Sequence, residues 1–452
     1  MRISKIKKLC AGAVTGVVMC GVVNAEESKP NDQSLLIEAI TVVTSKVDAQ
    51  TIGGSVSFLD TEYLQQNNYG DIHRILARIP GVQVQDEDGF GLRPNIGLRG
   101  TGLDRSSKIT VMEDGVLMAP APYASPSAYY FPQAARFSAI EVTKGPAAIK
   151  YGPFTTGGSI NLISTPVPSD ASASVEALFG SDDFAQVHAA GGQTLDLSED
   201  LQFGFLAEGL LWKSDGFKNL DSGGDTGFDI EDYVGKAQLV SKAIDGVKQT
   251  LQFKYQYSDE ISNETYLGLT DADFAASPNR RYSGSQKDTM TNKHEGYSIT
   301  YKAEFDNGVI ANVVAYRNEF ARDWFKLDKV DGVKIGSLLS DPVNNATAYR
   351  IVRGGAGFIS SDNALAVKHN NRSYVSKGIQ AAIVVPFESN TVSHEVTASI
   401  RYHEDAMDRF QWADKFRMDN DTMVLTSAGI PGTDSNRIDS ADAISSYVQD
   451  KI

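Results

Sequence analysis

Cysteine is nearly absent from this chain of 452 residues: there are two, Cys10 and Cys20, both near the N-terminus. If that segment is removed on maturation, no thiol remains for a disulfide, a redox pair or a thiolate metal site. Long apolar runs are missing as well. Beyond the N-terminus no stretch of about 18 apolar residues occurs, which excludes a membrane-crossing helix. It leaves a membrane β-barrel open, because barrel strands carry their apolar residues at every second position. Base is scarce relative to acid, with 42 Lys and Arg against 57 Asp and Glu and a net charge of -15. That balance disfavours non-specific nucleic-acid binding, although it permits a local basic pocket. Catalytic patterns are lacking too. There is no His-Glu-x-x-His helix, and Gly53-Gly54 and Gly157-Gly158 lack a correctly spaced P-loop lysine. No nucleophile–base–acid arrangement stands out, so neither an enzyme nor a resident cofactor is expected.

The N-terminus reads as a secretory signal over residues 1–25. Arg2, Lys5, Lys7 and Lys8 form a basic region, Leu9 to Val23 is apolar, and Val23-Asn24-Ala25 is a small-x-small cleavage site. Met19 ahead of Cys20 argues against a lipoprotein site. Cleavage removes four basic residues and no acid, taking the net charge from -15 to -19. Residues 26–50 form a leader whose first part, 26–37, is polar and acidic. Within the leader, Glu38-Ala39-Ile40-Thr41-Val42-Val43-Thr44 is rich in β-branched residues and favours an extended chain. Composition alone favours an edge strand of the next domain; the alternative is a segment that adds a strand to another protein's sheet.

Residues 51–166 form a glycine-rich α+β unit. Asp71 to Val82 reads as a short helix capped by Asp71, with Ile72, Ile75, Leu76 and Ile79 on one face, ended by Pro80-Gly81. His73 falls on the polar side, where solvation is expected. Short β-rich runs follow, and Asp114-Gly115 marks a hairpin.

Five motifs occur in order: Ile79-Pro80-Gly81-Val82; Ile96-Gly97-Leu98-Arg99-Gly100; Val111-Met112-Glu113-Asp114-Gly115-Val116; Ile140-Glu141-Val142-Thr143-Lys144-Gly145-Pro146; and Tyr151-Gly152-Pro153 followed by Gly157-Gly158-Ser159-Ile160-Asn161-Leu162-Ile163. Together they resemble the plug domain of TonB-dependent outer-membrane receptors. The resemblance makes Glu38–Thr44 look like a TonB box, and implies TonB and its inner-membrane energising complex as partners. Leu92-Arg93-Pro94-Asn95, Asp104-Arg105-Ser106-Ser107, Ala119-Pro120-Ala121-Pro122-Tyr123, Ser262 to Leu269 and Asp408-Arg409-Phe410-Gln411-Trp412 resemble the ferric dicitrate receptor branch. Members that regulate their own transcription carry a further periplasmic domain ahead of the box, of about 70–80 residues. Only residues 26–37 fill that place here, which implies transport without surface signalling.

From 167 to 452 the pattern is one of amphipathic strands, with ten expected near 173–180, 186–195, 201–213, 231–243, 247–258, 294–305, 308–320, 372–386, 391–402 and 443–452. Phe203, Phe205, Ala207, Gly209 and Leu211 alternate with Gln202, Gly204, Leu206 and Glu208. From 196–200 onward the connections alternate short and long, with long ones at 214–230, 259–293, 321–371 and 403–442. Tight turns on one side and large loops on the other are the mark of an all-β transmembrane barrel in outer-membrane lipid. Trp212, Tyr233, Trp324, Phe325 and Tyr374 suit interfacial girdles. Barrels of this family resemble one another in having about 22 strands, so ten strands imply an incomplete barrel, expected as a monomer.

A ferric chelate arrives with its iron already enclosed, so its receptor needs forked donors and aromatic surfaces rather than metal ligands. At the plug apex Arg93, Asn95, Arg105, Tyr123, Ser125, Ser127, Tyr129 and Tyr130 are candidates, joined by Arg280, Arg281, Arg322, Trp324 and Arg353 on expected outer loops. Each arginine has a plainer reading as a solvated loop charge. Ser125 and Ser127 stand where the resemblance implies longer amides for citrate. His403-Glu404-Asp405, at an expected strand-to-loop transition, reads as solvated acids rather than a metal site. By the resemblance, Arg99 and Lys144 are plug locks awaiting acids on the barrel wall. The expected function is TonB-dependent import of a ferric chelate, ferric citrate or a related siderophore. The same machinery serving another siderophore, a cobalamin or a glycan is the alternative, and a passive porin or adhesin would have no use for the plug motifs.

Overall fold

The computed structural model describes residues 54–452 apart from 68, 264 and 265. The expected signal, leader and TonB box therefore lie outside the described residues. Two layers organise the rest: an α+β plug, and an antiparallel sheet of ten long strands curved around it.

The plug is built on a mixed sheet. Its strands are β1 (Ser55–Leu59), β4 (Thr110–Glu113), β5 (Val116–Leu117), β6 (Phe137–Lys144) and β7 (Gly158–Ser164), in the order β1-β6-β7-β4-β5. β2 (Val82–Gln85) and β3 (Asn95–Leu98) form a separate hairpin. Apolar residues of β6 and β7, including Ile140, Val142, Ile160 and Leu162, are fully buried. Asp114 and Gly115 both adopt positive φ, 50° and 75°, which gives the β4–β5 hairpin the left-handed turn its twist requires. The helix is shorter than the sequence suggests, Ile72–Leu76, with Asp71 accepting the His73 amide at 2.8 Å. His73 is not solvated. It is 4% exposed, and its Nε2 accepts the Asn95 amide at 3.2 Å, because the β2–β3 hairpin lies over that side of the helix.

The ten strands of the large sheet are Ser172–Phe179, Ala185–Asp196, Leu201–Ser214, Phe228–Ser241, Val247–Ser262, Thr289–Phe305, Ile310–Val330, Arg372–Ser389, Val392–Asp419 and Ser435–Lys451. Each pairs antiparallel with the next. Strict alternation sets their two faces. Phe205, Leu239, Leu251, Phe253, Ile299, Ile379 and Ile400 point outward, while Gln238, Lys254, Gln256, Asn292 and Asn318 point to the lumen. An apolar outer face with a polar inner one is what a strand between lipid and a hydrated interior demands. Tyr233 stacks on Tyr257 at 6.3 Å, and Tyr255 meets Tyr297 at 5.1 Å on the outer face. Trp212, Trp324 and Tyr374 do not join that girdle: all three turn inward and are buried.

Strands seven and nine are longer than expected. They continue to Val330 and Asp419, so Arg322, Trp324 and the His403-Glu404-Asp405 run lie within strands rather than in loops. In these outer extensions charged residues such as Arg322, Asp323, Asp408 and Arg409 interrupt the apolar alternation, so the period-two signal fades before the hydrogen-bonded ladder does. The outer loops are themselves folded. Tyr282, Leu338, Ile351, Val352, Leu365, Phe416 and Met418 build a second hydrophobic core there, joined by helices Ile335–Ser340 and Ala346–Arg353.

Candidate functional site

Two groups of polar residues line the space between plug and wall. The inner group fixes the plug. Glu113, on β4, receives a forked pair from Arg136 at 2.7 and 3.1 Å, a bond from Lys254 at 2.6 Å and another from Gln256 at 2.7 Å. Asp114 accepts from Lys254 at 2.6 Å and from the Ser164 hydroxyl at 2.6 Å. Arg136 also faces Asp232 on strand four at 3.1 Å. Burial alone would raise the Glu113 carboxyl, but Arg136 and Lys254 hold it below its ordinary value. Asp114 is likewise depressed against its burial, by Lys254 and Lys236. Buried charges of this kind persist only when fully paired, so the cluster holds while it is complete.

None of this inner group was singled out from sequence as a lock. The two residues that were, Arg99 and Lys144, lie side by side around Gly81 and Gly145. Lys144 donates to the Pro80 carbonyl at 2.8 Å, and burial together with Arg99 depresses its pKa. Among the described residues neither has an acidic partner within salt-bridge distance.

The outer group faces the large loops. Arg93 is 3% exposed and pairs with Glu260 of strand five at 2.7 Å, with a further bond to Ser262. Arg105 pairs with Glu87 and lies over the rings of Tyr129 and Trp324, at 5.7 and 5.3 Å. Asn95 bridges these segments, accepting the Arg105 amide at 2.9 Å and donating to Glu87 at 2.9 Å. Tyr130 is buried, stacked on His294 at 3.8 Å. Tyr129 is more open, with the Arg322 guanidinium 3.8 Å from its ring centre.

Arg322 belongs to a row. It is the register partner of Arg372 on strand eight, which faces Arg409 on strand nine, which faces Arg437 on strand ten. Four cations thus stand side by side on the lumen face of four consecutive strands. Like charges in direct register repel. Arg437 has Asp439 at 3.1 Å. Arg322, Arg372 and Arg409 have no carboxylate within salt-bridge distance among the described residues. Arg322 Nε and Nη2, Arg372 Nε and Arg409 Nε are buried with no hydrogen-bond partner. A cavity of about 640 Å³ opens on Arg372, Arg409 and Arg437 of this row, with Asp439 also on its wall, and is closed on the plug side by Ala124, Ser125 and Pro126.

The other outer candidates stand apart from the row. Arg280 is engaged by Asp221 at 2.8 Å and Asp273 at 3.2 Å. Arg281 donates to the Pro278 carbonyl at 3.1 Å, and Arg353 ends its helix over Tyr349 at 5.4 Å. Tyr123 and Ser127 flank Ser125 on the apical loop, half-buried. His403 and Asp405 point inward and Glu404 outward, so strand alternation separates the three and no metal cluster forms among the described residues.

Comparison with known proteins agrees with this architecture. Residues 48–159 match the TonB-dependent Receptor Plug Domain. Vitamin B12 transporter BtuB of Photobacterium profundum is 28% identical over 237 residues, which are 50% of this chain and 38% of that protein. Among solved structures, the ferric citrate transporter FecA in its unliganded form superposes with a TM-score of 0.63 at 20% identity, covering 91% of this chain and 56% of that one. The pyoverdine receptor FpvA of Pseudomonas aeruginosa PAO1 gives 0.63 at 14% identity, over 89% and 54%. The chain thus spans well under half the length of the curated relative quoted and about half that of its structural neighbours. A plug domain seated against part of an outer-membrane barrel defines the class. Residues 48–159 thus carry a plug domain of the TonB-dependent receptor kind, and the sheet that follows has the fold of part of such a receptor's barrel.

Proposed function

We propose that the protein imports an anionic ferric chelate, with ferric citrate or a related carboxylate siderophore as the leading cargo. The observation that carries this is the row Arg322–Arg372–Arg409–Arg437. Three of the four, Arg322, Arg372 and Arg409, have no acidic partner within salt-bridge distance among the described residues; like charges held in cross-strand register cost stability unless an anion compensates them, and a citrate chelate presents several carboxylates to forked donors. Tyr129 supplies a flat surface beside the row, and Ser125 and Ser127 supply hydroxyl donors from the plug. Iron enters as part of the cargo, so the protein needs no ligand of its own for it.

Supply of energy to this step is assigned to TonB. Glu38–Thr44, with its β-branched run between a polar leader and the plug, fits strand addition to a periplasmic partner. Cargo bound at the apex shifts the population of plug states, and pulling through the added strand opens the path. The match to vitamin B12 transporters supports a second reading, cobalamin as cargo, on the same machinery. Cellular uptake tests the mechanism. Ile40→Pro removes a backbone donor from the added strand, so iron uptake from ferric citrate should fall to background while surface binding of the chelate persists. Undiminished uptake in that variant would refute TonB coupling through this segment.

A further inference from the structure

The inward face of strand nine carries a second set of contacts that the cargo row does not account for. Arg401, His403, Asp405, Met407 and Arg409 follow one another at every second position on that face. Arg409 belongs to the arginine row. Four residues earlier, Asp405 is 4% exposed and grips the plug by its backbone. Its Oδ2 accepts the Tyr123 amide at 2.7 Å and its Oδ1 accepts the Ala124 amide at 2.9 Å. Those two N–H groups are consecutive, in a tight turn that the Ser125 amide closes on the Ala121 carbonyl at 2.9 Å.

The carboxylate is itself aimed. His403, fully buried, lies with Nε2 3.1 Å from Asp405 Oδ2 and Nδ1 2.7 Å from the Tyr316 hydroxyl. With a proton on Nε2 the ring donates to Asp405, and Nδ1 shares the hydrogen bond with the Tyr316 hydroxyl. The Tyr123 ring packs 5.2 Å from His403. Both oxygens of one buried carboxylate therefore fix the position and the rotation of the turn. The next plug residues, Ser125 and Pro126, close the cavity onto which Arg372 and Arg409 open.

We propose that Asp405 is the positioning residue of the cargo site: it clamps the apical turn Ala121–Ser125 to strand nine, so that Ser125 and the arginine row form one surface. His403 and Tyr316 orient the clamp. The proposal rests on the anionic-cargo reading for its purpose, though not for its geometry. It differs from the Glu113–Arg136 cluster, which seats the plug sheet against strands four and five. Bonds from amides to a charged acceptor are among the stronger hydrogen bonds, and losing one leaves a buried N–H unsatisfied.

The test uses Asp405→Asn and Asp405→Glu in the protein isolated from outer membranes. Asn keeps the volume but offers one acceptor oxygen and turns an NH2 group toward the other amide. Amide hydrogen exchange of residues 121–128 in cargo-free protein should quicken by about tenfold or more in D405N, with β4 and β7 unchanged, and D405E should restore part of the protection. Calorimetry with ferric citrate should show D405N binding about tenfold more weakly, with D405E intermediate. Three outcomes would overturn the proposal: exchange at 121–128 within about twofold of the parent, protection lost throughout the plug, or faster local exchange with unchanged citrate affinity. A parent protein that binds no ferric citrate, with fast exchange confined to the turn in D405N, would sink the cargo reading and leave the clamp standing on the exchange result.

Discussion

Single residues decide the chemistry of the outer site. Arg93 and Arg105 were candidates for cargo contact, yet each is already matched by an acid, Glu260 and Glu87. Their charges hold plug loops to the wall and to each other. Arg372 and Arg409 lack such acids and line an open cavity, which makes them the better donors. Replacing either by Gln should weaken binding of an anionic chelate by about tenfold, the value of one charge-assisted bond, while Arg280→Gln should leave affinity nearly unchanged. Binding isotherms at one fixed low salt concentration compare the three. Glu113 makes a different prediction. Its folded pKa is lowered, so the stability it contributes is present in full above its ordinary unfolded value and is lost as pH falls through the native one. Asp114 acts in the same direction. Calorimetric unfolding of the plug should be flat from about pH 8 to 5 and decline below about pH 4. Glu113→Gln should remove part of that acid dependence, leaving the share of Asp114, and cost about 3–5 kcal/mol, because Arg136 and Lys254 each lose one of two buried acidic partners.

At the scale of elements, strand existence was legible and strand length was not. All ten long strands were expected from period-two alternation, because lipid on one side and water on the other impose it. The outer halves of strands seven and nine escaped because no lipid contacts them there. Register explains which site residues were missed. Strands eight and nine are joined by the tight turn Asn390-Thr391, with Ser389 facing Val392. Counting back from that turn places Arg372 opposite Arg409, so this half of the row was available from sequence once the turn was recognised. Arg322 was not, since the long connection 331–371 leaves its register to Arg372 undetermined. The clamp at Asp405 was hidden for the same reason: it joins a strand to a plug turn far away in sequence. Lipid-facing positions carry their own test. Phe253→Arg places a charge in the outward apolar band and should destabilise the folded barrel by about 2–4 kcal/mol if it lies near the midplane. Denaturant-dependent folding into lipid vesicles reads that cost, and a change well under about 1 kcal/mol would remove Phe253 from the lipid face.

The whole molecule joins a fixed seat to a separate outer site. Glu113, Asp114 and Arg136 anchor the plug sheet to strands four and five. The apical turn is anchored to strand nine, beside the arginine row. On the proposed function, cargo meets the plug at one end while the buried ion cluster holds it elsewhere, and force applied to the plug would have to break the second to use the first. The resemblance of the plug motifs made the class legible from sequence, whereas the cargo depends on side chains that only the folded sheet brings together. The most direct measurement is a calorimetric titration of the purified protein with ferric citrate and with cyanocobalamin, repeated on Arg372→Gln/Arg409→Gln. Ferric citrate should bind, more weakly with added salt and about a hundredfold more weakly in the double variant, and cobalamin should not bind. Cobalamin binding that ignores both substitutions, with no heat from ferric citrate, would contradict it.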